Sequence, residues 1–197
     1  PTIIDNNSNI AVVNLGTPNM SNMLTETRRN HTAYCNIHKY NYLFYDHSIV
    51  PFDIVTWNKI YVIKHHLQNY NWVVWIDCDA VFTNFDITLE SIISQSDDNL
   101  LICDDIGGWK FNTGVMFWKN SEWSSNILNK LINMEHIGHN RGAEQQQLIS
   151  LLENKKGYKL FPRKTFNQHP DEHKNGDFIL HMMGKSEEER IEQFKKY

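Results

Sequence analysis

Asp77 and Asp79 stand one residue apart in Trp75-Ile76-Asp77-Cys78-Asp79-Ala80, directly after the apolar run Trp72–Ile76. That run does not alternate with polar residues, the pattern of a central strand buried on both faces. Open α/β sheets take their ligands beyond the carboxyl ends of strands. Two hard carboxylate donors at such a rim suit Mg²⁺ or Mn²⁺ held jointly with substrate phosphates. By itself, an Asp-x-Asp pair after a strand serves equally well as turn or cap residues. A second segment bears on the choice: Phe178-Ile179-Leu180-His181-Met182-Met183-Gly184-Lys185. His181 ends a short apolar run and can supply a third, nitrogen ligand. Gly184 and Lys185 can meet a phosphate with a backbone N–H and a point charge. A lone histidine at a strand end is usually structural; with Asp77 and Asp79 in the same sheet, the metal reading is favoured.

Other polar residues stand at similar places. Asp104 and Asp105 follow Leu100-Leu101-Ile102-Cys103, where they can hold donor or acceptor hydroxyls or be solvated turn residues. In Gly107-Gly108-Trp109-Lys110-Phe111-Asn112-Thr113-Gly114, Asn112 can bind a sugar hydroxyl. Trp109 either stacks on a sugar ring or fills the core. The pairs His65-His66, His136 with His139, and His169 with His173 do not make a zinc set. The first pair faces different sides of a helix, the others lie in polar loops, and no cysteine completes them. Glu187-Glu188-Glu189 with Arg190 reads as a solvated helix face.

The elements that must position these residues follow from hydrophobic patterning. Strands are expected at Ile10–Leu15, Tyr42–Tyr45, Trp72–Ile76, Leu100–Cys103, Val115–Trp118 and Phe178–Leu180. Helices are expected from Ser21 to His38, with Leu24, Thr27, His31, Tyr34 and Ile37 on one face, and from about Trp57 to Tyr70. Three more are expected around Trp123–Ile132, Glu144–Glu153 and Ser186–Lys196. Residues 1–9 read as a frayed polar terminus, and 163–177 as a long loop of the kind that often carries function. Strands alternating with helices at this spacing imply an α/β sandwich with a mostly parallel sheet.

Composition narrows the class. The 197 residues fit one domain, and 41% hydrophobic residues suffice for its core. A formal net charge of -4 argues against nonspecific nucleic-acid binding. No apolar run approaches the roughly 20 residues of a bilayer span. Cys35, Cys78 and Cys103 form neither a zinc set nor a disulfide framework, as expected of reduced thiols in a cytoplasm.

The ordered set Trp75-Ile-Asp-Cys-Asp-Ala-Val-Phe-Thr83, Phe111-Asn-Thr-Gly114, Trp123, Glu144-Gln145 opening a helix, and His181-Met-Met-Gly-Lys185 resembles the GT-A glycosyltransferases. More narrowly it resembles the galactosyltransferase family of yeast mannan and plant xyloglucan enzymes. Asn30 through Tyr40, with Tyr34-Cys35 and His38, and Trp57-Asn58-Lys59 are also similar to that family. The likeness runs over roughly residues 10–185. It implies a GT-A α/β/α sandwich over 1–197, either alone or as a module of a longer polypeptide. It implies Mn²⁺ or Mg²⁺ on Asp77, Asp79 and His181. The implied donor is a UDP-sugar, with UDP-glucose or UDP-galactose favoured, and the implied acceptor a glycan or glycoprotein. Asn14, Gly16, Thr17, Lys59, Asp77, Cys78, Asp79, Asn112, Gly114, Gly184 and Lys185 would bind the donor, with the base and ribose over the end of the first strand. Without the family, Gly16-Thr17 is as well explained as a plain turn.

The family also implies retention of configuration, with Glu144 or Gln145 offering an oxygen to the sugar's open face. An inverting enzyme would instead need a carboxylate base, which Glu144, Asp104 or Asp105 could provide. Glu144 departs from the pattern, since an aspartate is usual there. The anchor of the Golgi members is lacking, which suits a viral or bacterial enzyme in a cytoplasm, an infected host's included, or a Golgi enzyme whose anchor was removed. The alternatives are a sugar nucleotidyltransferase or other metal-dependent nucleotide-diphosphate enzyme, although the former's Gly-rich phosphate loop is absent, and a noncatalytic sugar-binding module.

Overall fold

The structure is a computed structural model that describes residues 1–50, 55–134 and 142–197. His136 and His139 lie outside the described residues. Seven strands form the central sheet, β1 (Thr2–Ile4), β2 (Ile10–Leu15), β3 (Asn41–Tyr45), β4 (Trp72–Ile76), β6 (Leu100–Cys103), β7 (Asn112–Lys119) and β8 (Tyr158–Phe161), in the order β1-β3-β2-β4-β7-β6-β8. β2, β3 and β4 run parallel; β6 and β8, parallel neighbours, point the same way as these because β7, between β4 and β6, is antiparallel to both. Only β1 and β7 oppose the other five, so the sheet is mostly parallel.

The unbroken apolar strands have the cause expected of them, since both faces are covered. β4 sends Val74 and Ile76 to one hydrophobic cluster and Val73 and Trp75 to the other. The first cluster is closed by α1 (Ser21–His38), α3 (Leu89–Ile93) and α6 (Glu187–Phe194), the second by α2 (Asn58–Leu67), α4 (Glu122–Ile132) and α5 (Ala143–Leu152). This is the α/β/α sandwich. Capping marks several helix starts: Thr88 accepts from the Ser91 N–H, Ser121 from Ser124, and Ser186 with Glu189 forms a reciprocal capping box.

Four expectations change. The first residues are not frayed. Thr2–Ile4 pairs antiparallel with β3, and Asn6 donates to the Tyr40 carbonyl while its N–H reaches Asn41. Second, His181 is not in the main sheet whose strand β4 precedes the aspartates. It ends β9 (Ile179–His181), which pairs with β5 (Ala80–Phe82) in a separate two-stranded ribbon. The main sheet ends its β4 pairing at Ile76, and the turn 77–80 carries the chain into that ribbon. Third, Ile37 is 61% exposed; the buried face of α1 is Met23, Leu24, Thr27, Asn30, His31, Tyr34 and Cys35. Fourth, β8 falls where no strand was expected, because an edge strand with two exposed residues carries little hydrophobic signal.

That polar face of α1 has a purpose. β5 pairs with β9 on one edge only, and its other edge is buried beneath α1. Asn30 donates to the Phe82 carbonyl at 2.8 Å and accepts from the Phe82 N–H at 2.9 Å, as a paired strand would. His31 Nε2 meets the Ala80 carbonyl at 2.8 Å, and the Thr27 hydroxyl donates to the Cys78 carbonyl at 2.7 Å. Each buried backbone group left unpaired would cost about 1–3 kcal/mol.

Burial lowers His31 from 6.5 to about 4, against a smaller opposing pull from the Ala80 carbonyl. The unfolded chain therefore binds a proton below pH 6.5 that the native state refuses. Stability is whole above that pH and falls by about 3 kcal/mol as the pH drops to 4. Urea unfolding at pH 7 and 4.5 should show the wild type losing about 2–3 kcal/mol more than His31→Gln. Equal losses in the two proteins would refute this account of His31.

Candidate active site

Asp77 follows β4, Asp79 precedes β5 and His181 ends β9, so three elements converge. Their ligand atoms all lie within 4.8 Å of one another, and among the described residues this is the one such group of three histidine, cysteine or acidic side chains. His181 Nε2 is 3.2 Å from Asp79 Oδ1 and 4.0 Å from Asp77 Oδ2. Each aspartate has its other oxygen occupied. Asp77 Oδ1 accepts from Trp75 Nε1 at 2.6 Å and lies 3.1 Å from Lys59 Nζ. Asp79 Oδ2 is paired with Arg190 at 2.9 Å.

His181 is aimed by a directional chain of amides. Its Nδ1–H donates to Asn167 Oδ1 at 2.8 Å, Asn167 donates to Asn112 Oδ1 at 3.0 Å, and Asn112 donates to Asp105 at 3.1 Å. The carboxylate at the far end sets the polarity and so the tautomer, which leaves Nε2 for the cluster. Gly114 makes room for the ring, because a Cβ there would fall 2.1 Å from His181 Cε1.

Charge governs the protonation states. Burial alone would raise the Asp79 carboxyl, but His181 and Arg190 outweigh it and hold it near 2. Burial would likewise lower His181 and Lys59. Asp79 and Asp77 overcome this for the imidazole, Asp77 and Glu144 for the ammonium, and both groups are raised. Two carboxylates and an imidazole suit a divalent ion of Mn²⁺ or Mg²⁺ type, which would take the Nε2 lone pair in place of a proton.

Two expected donor-binding residues, Asn14 and Gly16, are buried supports, and Thr17 and Cys78, partly buried, already face neighbouring side chains. Asn14 is fully buried, donating to His31 Nδ1 at 3.2 Å and accepting from the Tyr42 hydroxyl at 3.1 Å. A Cβ on Gly16 would meet Leu24 at 2.1 Å, so its backbone approach is to α1. The Thr17 hydroxyl is paired with the Asn19 side chain. The Cys78 thiol faces Met20 Sδ at 3.9 Å, and burial holds it well above its usual range.

The expected catalytic residues are also engaged. Asp104 accepts from the Arg163 N–H at 2.9 Å, and Asp105 from the Gly107 N–H at 2.7 Å. Glu144 and Gln145 do not stand at an exposed helix end, although Glu144 Oε2 has no hydrogen-bond partner among the described residues. Both are buried, Gln145 Oε1 accepting from the Thr113 N–H at 2.9 Å and Glu144 lying 3.4 Å from Lys59. Gly184 has a left-handed φ of 76° with open space around it, while Lys185 is not unpaired but lies 3.3 Å from Asp171.

Other residues gain roles. Arg190 leaves the solvated helix face for Asp79. Asn167 was legible only as part of the polar loop. Trp109 is 44% exposed, available for stacking rather than core filling. One and two strands along the same rim from Asp77 lies a cleft of about 660 Å³ lined by Pro18, Leu24, Arg28, Phe44, Asp46 and His47, among others.

Residues 5–98 match the galactosyl transferase GMA12/MNN10 family. A structure of a glycosyltransferase involved in glycosylation of the major capsid of PBCV-1 superposes with a TM-score of 0.80 at 20% identity, over 95% of this chain and 99% of that one. The fold is that of a GT-A glycosyltransferase. The galactosyltransferase LgtC, solved with donor and acceptor sugar analogs, superposes at a TM-score of 0.58 and 13% identity, over 94% and 95% of the two chains. A probable glycosyltransferase 6 of Oryza sativa subsp. indica is 26% identical over 126 residues, 57% of this chain and 25% of the relative. These likenesses are all to glycosyltransferases, and the chain spans about a quarter of the length of the curated relatives it matches. No helix among the described residues is long and apolar enough to cross a membrane.

Asn167→Ala removes the acceptor that fixes the His181 tautomer. Mn²⁺ affinity should fall by about 10–100-fold with the fold retained, as measured by electron paramagnetic resonance of free Mn²⁺. Unchanged affinity would mean that the amide chain does not aim His181.

Proposed function

We propose that this chain is a metal-dependent glycosyltransferase domain moving a hexose from a uridine diphosphate sugar, glucose or galactose favoured, to a glycan or glycoprotein with retention of configuration. We take residues 1–197 as one such domain, alone or as a module of a longer polypeptide. The observation that carries the reading is the convergence of Asp77, Asp79 and His181 at the strand-end rim, which also holds, one and two strands away, a cleft large enough for a nucleoside. The likeness to galactosyltransferases supports the hexose, and the uridine donor rests on the family resemblance of the sequence motifs.

A divalent ion on those three residues, Mn²⁺ by the mixed oxygen and nitrogen set, supplies Lewis acidity toward the leaving diphosphate. The chain's own groups do the rest. Lys59 and Trp75 orient Asp77. The nucleoside enters the cleft, where Arg28 already lies 4.2 Å over the Phe44 ring. Gly184 turns the chain so that Lys185 can exchange its surface pair with Asp171, worth about 0–1 kcal/mol, for a diphosphate oxygen. Trp109 offers a ring face to a sugar. Glu144 and Gln145 act through Lys59 and the start of β7, holding Asn112–Gly114 in place. Retention is supported by Asp104 and Asp105, two of the three carboxylates an inverting reaction could use as base, each already accepting a backbone N–H; the departing phosphate would then take the acceptor proton.

Asp79→Ala with saturating metal should lower kcat by about a thousandfold, the worth of several kcal/mol of transition-state charge stabilisation. Wild-type turnover in that variant would sink the metal assignment. Calorimetry with Mn²⁺ should rank uridine diphosphate above guanosine diphosphate. The anomeric proton coupling of the product should match the donor's configuration; an inverted linkage would overturn retention.

A further inference from the structure

Arg190 is the one residue of α6 that reaches the cluster. Its Nη2 sits 2.9 Å from Asp79 Oδ2 while its Nε donates to the Met182 carbonyl at 3.2 Å, which fixes the guanidinium plane. The pair is mostly covered, with side-chain exposures of 18% and 15%. The helix that delivers it is anchored independently. Phe194 is fully buried, Arg29 donates to the Phe194 carbonyl at 3.1 Å, and Ser186 and Glu189 cap the first turn.

Lys59 makes the matching arrangement on the other aspartate, and it also balances Glu144. Three carboxylates therefore face two fixed cations before any metal arrives. A divalent ion entering alone would gain Asp79 Oδ1 and Asp77 Oδ2, the latter also 3.4 Å from Lys59 Nζ, but would lie within a few ångströms of a guanidinium it cannot displace cheaply. In a weakly solvated site that repulsion outweighs the benefit of a pre-oriented carboxylate. A nucleoside diphosphate entering with the ion reverses the sign, because its oxygens match both the metal and the planar fork of an arginine.

We propose that Arg190 is an internal counter-ion of Asp79 that makes metal uptake conditional on the diphosphate, its guanidinium passing from the carboxylate to a phosphate oxygen when the two arrive together. This rests on the metal-dependent reading above. Arg190 is thus a positioning residue in the empty site and a diphosphate contact in the loaded one.

The test is Mn²⁺ titration of the whole chain, followed by electron paramagnetic resonance of the free ion, with and without uridine diphosphate. The wild type should bind Mn²⁺ weakly alone and far more tightly with the nucleotide. Arg190→Gln should bind Mn²⁺ alone about tenfold tighter, and the factor by which the nucleotide strengthens Mn²⁺ should shrink by about tenfold or more. Arg190→Lys keeps the charge and should take up Mn²⁺ alone as the wild type does. Arg190→Gln with unchanged or weaker Mn²⁺ binding overturns the proposal, as does Arg190→Lys behaving like Arg190→Gln. A wild type that takes up no Mn²⁺ even with uridine diphosphate overturns the metal-dependent reading and this inference with it. Wild-type uptake with the coupling unaltered in Arg190→Gln overturns this inference alone.

Discussion

The metal-type cluster can exist only because α1 hydrogen-bonds a buried backbone that no strand covers. After Ile76 the chain leaves the sheet, turns through Asp77–Ala80 and runs as β5, one of whose edges faces a helix. Buried peptide groups demand partners. Thr27, Asn30 and His31 supply them at successive points from Cys78 to Phe82. The cost is a helix face that is polar yet inaccessible. The gain is a turn whose two aspartates are held against His181 across the ribbon, since Ala80 is registered opposite His181.

Around that scaffold, each aspartate turns one oxygen toward the histidine and has the other held by a donor, with Lys59 reaching both oxygens of Asp77. Trp75 and Lys59 hold Asp77, Arg190 holds Asp79. The three cationic or donor groups come from β4, α2 and α6, which lie on both faces of the sheet. Glu144 reaches the same cluster only through Lys59. The site is thus a point where both layers of helices meet the sheet's rim, and its electrostatics belong to the sandwich as a whole.

Much of the sandwich was legible in the chain. Fully buried strands such as Trp72–Ile76 and Val115–Trp118 announce themselves as uninterrupted apolar runs, and amphipathic α4 by its period. Short edge strands did not, because Thr2–Ile4 and Tyr158–Phe161 have at least one face in solvent and too few residues for a pattern. The stripe of α1 was visible, with Thr27 and His31 on the face of Leu24 and Tyr34, but what those polar groups and Asn30 bond to is shown only when β5 is laid against them.

At the candidate site, residue types by themselves singled out Asp77, Asp79 and His181, because ligand chemistry is a property of side chains and strand ends are readable. Their arrangement in a separate ribbon was decided by pairing between Ala80–Phe82 and Ile179–His181, almost a hundred residues apart. Asn167, Arg190 and Lys59 owe their partners to such long-range contacts. So do the changes in Asn14, Gly16 and Glu144, from expected ligand contacts to interior supports. A sequence shows which groups can carry charge or bind a metal. Which of them are desolvated, and against what, is fixed only when distant segments are brought within a few ångströms, where hydrogen bonding and Coulomb forces act.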